Sequence, residues 1–300
     1  MNQRIMGLAV VAVSTLALRS AAADTKSWTA VKSKLPASTS IVVGVDVVAL
    51  RAASSFPTLV SSVLDEDRDV KQVFELVKSA CAIDALTAIS DVTIAVDGET
   101  EQGVIAIGLD GLDEPKLVAC TNKLLQQQAP NAKLVAKPGK VTEYAVEREK
   151  FYVAWLAKDV LVIGTKPDKR VNLDAMLSGK PPRAELATRI GKTSTSALVW
   201  GAFAIKKDGI TGGQGTLTLS KGMLAFAAKI STASAAVNAK LLEEGKGELA
   251  QTTKRAKDVP AVAKVLQSIK LVGAGTEIAF ELAVAEAELP SVMKALDKLF

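Results

Sequence analysis

The clearest signals of secondary structure lie between Asp91 and Pro115, in the stretch DVTIAVDGETEQGVIAIGLDGLDEP. Two apolar and β-branched segments, Asp91–Asp97 and Gly103–Asp110, flank a polar turn that contains glycine, and this pattern is typical of a β-hairpin. Asp113-Glu114-Pro115 then supplies a cap, an acid and a proline, which is the usual signature of a helix start. We therefore expect a hairpin followed directly by a helix.

The same order of two strands and one helix recurs twice further along the chain. The second unit has strands at Gly215–Leu219 and Gly222–Ile230 and an Ala-rich helix that ends at Glu244, capped by Ser231 or Thr232. The third has strands at Ile269–Val272 and Thr276–Ala285 and a helix that starts at Pro290. These units share layout rather than identity, so they indicate either an internal repeat or the chance recurrence of a common motif.

The remaining segments complete an α+β pattern. Ser40–Leu50 reads as a buried strand, and two amphipathic helices follow it, the second with Val70, Val73, Phe74 and Val77 on its apolar face. A meander of short strands covers Val141–Gly164, and Lys180–Ser196 is the best linker candidate. We expect mainly antiparallel sheets with helices packed on one face, in two similar lobes, residues 24–183 and 184–300.

The first 23 residues have the pattern of an export signal. Arg4 gives a basic start, Ile5–Leu18 is apolar, and small residues lead up to Ala23. The apolar run is 14 residues long, short of the roughly 20 that a membrane-spanning helix needs. We expect cleavage after Ala23, a periplasmic or secreted protein, and no integral membrane segment afterwards; an uncleaved anchor is the alternative.

The two cysteines fit an oxidising compartment. Cys81 and Cys120 are the only two in the chain and do not form a CxxC motif. We predict that they form a disulfide, and two unpaired thiols in the core are the alternative.

Composition argues against several classes of function. Two of the 37 basic residues and none of the 32 acidic ones lie in the first 23 positions, which leaves a net charge of +3 after cleavage. With aromatic residues at 4%, this argues against a nucleic-acid binder. Histidine is absent, which removes the imidazole-based catalytic triads and metal sites. We predict no catalytic residues, no cofactor and no metal site.

Three local patterns resemble sites but fit better as structure. Asp65, Asp67 and Asp69 alternate as in a calcium loop, but Val70 and Leu76 stand where that loop needs Gly and Glu. Gly191-Lys192-Thr193 lacks the first glycine of a phosphate-binding loop. Gly209–Gly215 could form an anion-binding nest, but it does not fit GxGxxG, and a flexible loop that leads into the strand Thr216–Leu219 explains its glycines without a function. Trp155 and Trp200 lie in apolar strands, where core packing is expected.

The layout is similar to that of exported bacterial proteins of no assigned activity, with a signal peptide, an opening strand, a helix pair and repeated hairpin–helix units. This resemblance implies no catalytic residues. The hypothesis that the sequence favours is an exported, non-enzymatic scaffold or interaction module. The alternatives are a carrier of an apolar ligand such as a lipid, held between sheet and helices, and a hydrolase that uses carboxylate or Ser/Lys chemistry. The partner is therefore an unknown protein or an apolar ligand.

Overall fold

The computed structural model describes residues 23–58, 60–61, 68–128, 131, 134–146, 149–165, 169–179 and 181–296. The expected signal peptide therefore lies outside the described residues, except for Ala23. The described chain forms two compact units. The N-terminal unit contains residues 23–50 and 60–187, and the C-terminal unit contains residues 51–58 and 188–296.

The border between the units differs from the expected border at residues 183 and 184. It falls inside a helix, Ala184–Gly191, so no extended linker marks it. Residues 51–58 belong to the C-terminal unit because the Ser55 backbone N–H donates to the buried Glu286 carboxylate at 2.7 Å. A contact between residues so far apart in sequence leaves no local pattern that could have predicted it.

In its described residues, the N-terminal unit combines α-helices with seven strands. Its helices are α1 Lys26–Val31, α2 Val47–Arg51, α3 Arg68–Cys81, α4 Ala85–Ala88, α5 Glu114–Gln128, α6 Lys169–Leu177 and α7 Ala184–Gly191. The last residues of α2 and α7 are assigned to the C-terminal unit. Its strands are β1 Ile41–Asp46, β2 Ile89–Val96, β3 Gly103–Leu109, β4 Leu134–Lys137, β5 Thr142–Val146, β6 Glu149–Ala157 and β7 Val160–Gly164. They pair in the order β1-β2-β3-β7-β6-β5-β4, and every pair is antiparallel.

In its described residues, the C-terminal unit has five strands and three α-helices, one of which, with 21 residues, is the longest described helix. The strands are β8 Val199–Phe203, β9 Ile210–Ser220, β10 Met223–Thr232, β11 Lys270–Ala274 and β12 Glu277–Ala285. The helices are α8 Ala235–Arg255, α9 Pro260–Ser268 and α10 Leu289–Leu296. The strand order is β8-β9-β10-β12-β11, again antiparallel, so the predicted α+β class with antiparallel sheets is confirmed.

The predicted hairpin and the helix that follows it are both present. β2 and β3 pair from Val96 and Gly103 outwards. α5 follows, and the Asp113 side chain accepts a hydrogen bond from the Lys116 backbone N–H at 3.2 Å, as an N-cap does. The local signals of turn and cap were therefore sufficient here.

Two predicted elements end at other residues. The predicted strand Ser40–Leu50 stops at Asp46, because the Asp46 carboxylate accepts from the Ala49 N–H at 2.8 Å and the chain turns into α2. The Ala-rich helix is capped by Ser234, whose hydroxyl accepts from the Val237 N–H, and it continues to Arg255. Ser231 and Thr232 are still part of β10.

The core of the N-terminal unit lies on one face of its sheet. The Ser27 hydroxyl of α1 is 2.8 Å from the Thr93 hydroxyl, and both residues are buried. Thr93 is paired with Ala106, which is paired with Val162, so these three side chains share a face. α5 lies over the opposite face at the β4–β7 end, so helices contact both faces of this sheet, whereas one covered face was expected. That second face carries the cavity described below.

The core of the C-terminal unit lies between β10, β12 and the three helices. Phe280 and Val284 of β12 are buried, and the Phe280 ring meets Phe226 of β10 edge-on, with 5.9 Å between ring centroids. No helix within the described ranges is both long and apolar enough to cross a membrane.

Candidate ligand cavity

A cavity of about 330 Å³ lies between α5 and the outer strands of the N-terminal unit. Strands β4 to β7 form its floor with six residues, namely Leu134, Tyr144, Val146, Val153, Trp155 and Leu161, and with Phe151 near its rim. Leu117, Val118 and Thr121 of α5 form its roof. All ten lining residues belong to one unit, so the cavity is a property of that unit alone.

The floor is apolar because of strand alternation. Phe151, Val153 and Trp155 are alternate residues of β6, so their side chains point to the same face of the sheet. The paired positions Tyr144 on β5 and Leu161 on β7 stand opposite Phe151 and Trp155, respectively, and extend this face across three strands. A strand pattern of period two thus produces a continuous apolar surface.

The roof leaves space because its side chains are short. Val118 and Thr121 face the sheet from α5 with branched side chains of three or fewer heavy atoms beyond Cα. The Thr121 hydroxyl donates to the Leu117 carbonyl at 2.9 Å, one turn back on the helix. It therefore presents its methyl group rather than an unpaired hydroxyl to a ligand.

The one polar side chain of the floor is also paired within the protein. The Tyr144 hydroxyl donates to the Glu114 carboxylate at the start of α5, and Trp155 hydrogen-bonds to the same hydroxyl. Burial, followed by the hydrogen bond to Glu114, raises the pKa of Tyr144 well above its ordinary value, so the phenol stays neutral. Neither hydroxyl of the wall is left without a partner in the protein, and the cavity favours a ligand surface without hydrogen-bonding groups.

The predicted disulfide is next to the roof. Cys81 at the end of α3 is bonded to Cys120 in α5, with 5.3 Å between the Cα atoms. Cys120 is buried and directly precedes Thr121. The disulfide therefore fixes the helix that closes the cavity to a second helix.

The cavity opens to solvent at Phe151. This side chain lines the cavity and is nevertheless 48% exposed, which is unusual for a large aromatic residue. The Phe151 ring is therefore both part of the cavity wall and accessible to solvent.

The opposite face of the same strands is charged. The Glu143 carboxylate of β5 lies 3.3 Å from the Lys137 Nζ of β4 and 3.1 Å from the Lys150 Nζ of β6. The hydrogen bond from Lys150, with a smaller contribution from Lys137, lowers the pKa of Glu143. One carboxylate thus connects three adjacent strands from the side away from the cavity.

Where the chain is described, the three patterns that resembled sites lie in the first turn of α3, at the end of α7 and in β9. Asp65 and Asp67 lie outside the described residues, and Asp69 is an exposed residue in the first turn of α3. Thr193 follows α7, and its hydroxyl donates to the Arg189 carbonyl at 2.8 Å. In the described ranges, no group of three or more metal-ligating Cys, Asp or Glu side chains is present.

The glycine run is part of a strand rather than a loop. Gly212, Gly213 and Gly215 lie within β9, which starts at Ile210. A Cβ atom on Gly213 would be 2.5 Å from the Lys229 carbonyl oxygen, so the glycines allow β9 and β10 to approach closely. The flexible-loop interpretation is therefore wrong.

Sequence reasoning missed the cavity lining. Trp200 is a core residue at 1% exposure, as expected, but Trp155 lies in the cavity wall. The alternation of Phe151, Val153 and Trp155 was the available signal, and it did not show that a helix would stand off from this face.

Comparison of the sequence with family models and with curated proteins found no match. Among solved structures, crystal form III of TP0453 superposes with a TM-score of 0.49 and 12% identity over 90% of this chain and 98% of that chain. Crystal form I of TP0453 gives a TM-score of 0.48 and 11% identity over 92% and 99% of the two chains. Similarity at this level carries no information on activity or ligand.

Proposed function

We propose that this protein is an exported, non-enzymatic carrier that holds a small apolar molecule, or the apolar part of a larger one, in the cavity beneath α5. The observation that carries this proposal is the composition of the wall. Eight of its ten residues have aliphatic or aromatic side chains, and the Trp155 N–H is the one polar group among these eight side chains. The Tyr144 and Thr121 hydroxyls of the other two residues are paired within the protein.

The size of the cavity suits a small ligand. Its volume of about 330 Å³ is at the lower end of the range in which small-molecule sites are found. A ligand that loses about 200 Å² of apolar surface on binding gains roughly 5 kcal/mol from the hydrophobic effect. Part of this gain is offset by lost translational and rotational freedom. A net gain below 5 kcal/mol corresponds to a dissociation constant above roughly 0.2 mM, so affinities on the order of millimolar are expected for a ligand of this size.

Export is supported by two independent features. The first 23 residues have the composition of a signal peptide, and the disulfide Cys81–Cys120 is of the kind that persists in oxidising compartments. A protein in such a compartment can shield an apolar molecule from water during transfer.

The structure bears on the two other hypotheses only in part. A general acid of a hydrolase needs a raised pKa, whereas the pKa of Glu143 is lowered by Lys150 and that of Glu286 by the backbone hydrogen bond from Ser55, so these two carboxylates do not support that hypothesis. A hydrolase with Ser/Lys chemistry stays a prediction. A scaffold needs no internal cavity. The scaffold hypothesis stays a prediction, and capture of a partner protein would test it.

The proposal is tested with the neutral fluorescent probe N-phenyl-1-naphthylamine. Val118→Trp fills the cavity from the roof and should abolish saturable probe binding, whereas Val272→Trp, at an exposed position of β11, should leave it unchanged. Thr121→Leu fills less space and should weaken binding to an intermediate extent. Thermal unfolding of each variant establishes that it is folded.

Energy transfer locates the bound probe. Trp155 is in the cavity wall, whereas Trp28 and Trp200 are buried elsewhere in the protein. Bound probe should quench tryptophan emission, and Trp155→Phe should remove most of this quenching. Equal binding by Val118→Trp and wild type would overturn the proposal. Native mass spectrometry of protein from its own compartment, before and after organic extraction, then identifies the ligand.

A further inference from the structure

A second cavity, of about 460 Å³, lies in the C-terminal unit and has a different chemistry. Its floor is part of β9 and β10, its sides include Lys192 in the loop after α7, and Glu277 at the start of β12 closes one end. It shares no residue with the cavity beneath α5 and does not depend on the proposed carrier function.

Three of the floor residues are small, namely Gly215, Ala227 and Ala228. A Cβ atom on Gly215 would be 2.7 Å from the Ala228 Cβ and 3.0 Å from the Ala227 carbonyl oxygen, so the close approach of the strands requires glycine here. The longer side chains of the lining are polar or charged, and they determine which ligand the cavity favours.

The charge of the lining is positive. Lys229 is bound to Glu277, with 3.1 Å between Nζ and Oε2, and Lys192 contributes a second cation. Two ammonium groups and one carboxylate give the lining a net charge of +1. Because the Glu277 carboxylate positions Lys229 but cannot neutralise both lysines, an anion on the ligand is favoured between them.

A buried acceptor in the wall has no partner. The Gln214 Oε1 atom is inaccessible to water and accepts no hydrogen bond from any residue that the structure describes. Buried polar atoms are almost always paired in folded proteins, and an unpaired one often marks a place where a water or ligand binds. Gln214 lines this cavity, so a ligand with a hydroxyl or amine group can supply the missing donor after a small rotation of the amide.

We propose that this cavity binds a small anionic molecule that also carries hydroxyl or amine donors, with its phosphate or carboxylate between Lys192 and Lys229 and a donor on Gln214. The mixed lining fits this class better than a simple anion, because two cations account for the anionic group and Gln214 accounts for the donor. An apolar ligand would leave Gln214 Oε1 without a donor and would provide no anion for the lysines.

Three probes separate the two features of the proposed ligand. Titration calorimetry at low ionic strength should give saturable binding of glucose 6-phosphate, which has both an anion and hydroxyl donors. Inorganic phosphate, which lacks the sugar hydroxyl groups, should bind about fivefold more weakly, the effect of one hydrogen bond. Glucose, which lacks the anion, should not bind measurably.

Matched variants assign the groups. Lys192→Met should weaken glucose 6-phosphate binding at least fivefold, whereas Lys240→Met, at an exposed position of α8, should not change it. Gln214→Leu should remove the preference for glucose 6-phosphate over phosphate and leave phosphate binding intact. Melting curves verify that each variant is folded.

Two results would overturn the proposal. The first is no saturable binding of glucose 6-phosphate up to about 10 mM, a concentration that would reveal even a weak site. The second is binding that Lys192→Met and Gln214→Leu both leave unchanged, since the ligand would then occupy another place.

Discussion

Removal of the Cys81–Cys120 disulfide should destabilise the N-terminal unit and loosen the roof of its cavity. The perturbation is the double variant Cys81→Ala/Cys120→Ala. It removes the covalent bond between α3 and α5, and the two sulfur atoms are the only packed atoms that are lost. Because the bonded residues are 39 positions apart, the bond closes a loop of considerable length.

The magnitude follows from the entropy of that loop. In the chain-entropy model, a cross-link across 39 positions restricts the unfolded chain and contributes about 4 kcal/mol to the free energy of unfolding at 25 °C. For a unit of this size, each kcal/mol shifts the melting temperature by roughly 2–4 °C, so a decrease of roughly 8–16 °C is expected.

Differential scanning calorimetry measures this effect. The wild-type protein with a reductant should show the same decrease as the double variant, and the double variant should not respond to the reductant. Binding of N-phenyl-1-naphthylamine should also weaken in the double variant below its melting temperature, because α5 is then held over the sheet by non-covalent contacts alone.

A loss of less than about 1 kcal/mol would refute the entropic argument, because the unfolded chain would then be restricted by something other than the disulfide. A loss of about 4 kcal/mol, as expected, with unchanged probe binding would refute only the claim that the disulfide positions α5 over the sheet. The disulfide would then stabilise the unit without positioning the roof.

Two further predictions concern the C-terminal unit. The hydrogen bonds from Ser55 lower the pKa of Glu286 below its ordinary value of 4.5, so this carboxylate contributes stability above that pH and loses it as the pH falls through the lowered value. Glu286→Gln should therefore flatten the acid limb of the stability profile, measured by urea unfolding at several pH values, and an unchanged acid limb would contradict this assignment. Gly215→Ala should destabilise the protein by about 1–3 kcal/mol through the clash with Ala228, whereas Gly247→Ala in α8, where a Cβ meets nothing within 4 Å, should stabilise it by about 0.5–1 kcal/mol. Equal effects of the two glycine substitutions would show that β9 and β10 are not so closely packed.

The sequence predicted those elements whose signals are local. The hairpin of β2 and β3 was readable because its turn, its alternation and the Asp113 cap lie within about 25 consecutive residues. The disulfide was readable from compartment and cysteine count. The turn glycine, the capping aspartate and the two cysteines are residue types that have few other structural roles.

Elements that depend on distant contacts were predicted less well. α8 was expected to end at Glu244, near Gly245 and Gly247, since glycine disfavours helix. The helix continues because it packs against β11, where a Cβ on Gly245 would be 3.2 Å from Leu271. Val73 was expected on a buried helix face, but it is 56% exposed, because periodicity shows that a face is apolar without showing what covers it.

The sequence allowed a cavity between sheet and helices, but its position and lining could not be predicted because they depend on the spacing between layers. The residues of the floor alternate as in any half-buried strand, and Val118 and Thr121 of the roof are ordinary helix residues. Only their combination under a helix that stands away from the sheet makes a ligand site. A sequence pattern predicts which way side chains point, but it does not predict the distance between a helix and a sheet.

The floor of the cavity depends on strand register, and the charged face explains how that register is held. A slip of β6 by one residue would turn Lys150 and Tyr152 into the cavity and Val153 out of it. The Glu143 carboxylate opposes such a slip, because it is paired with Lys137 on β4 and with Lys150 on β6 at the same time. The two faces of the outer strands therefore have complementary roles, in which the charged face opposes a change of alignment and the apolar face lines the cavity.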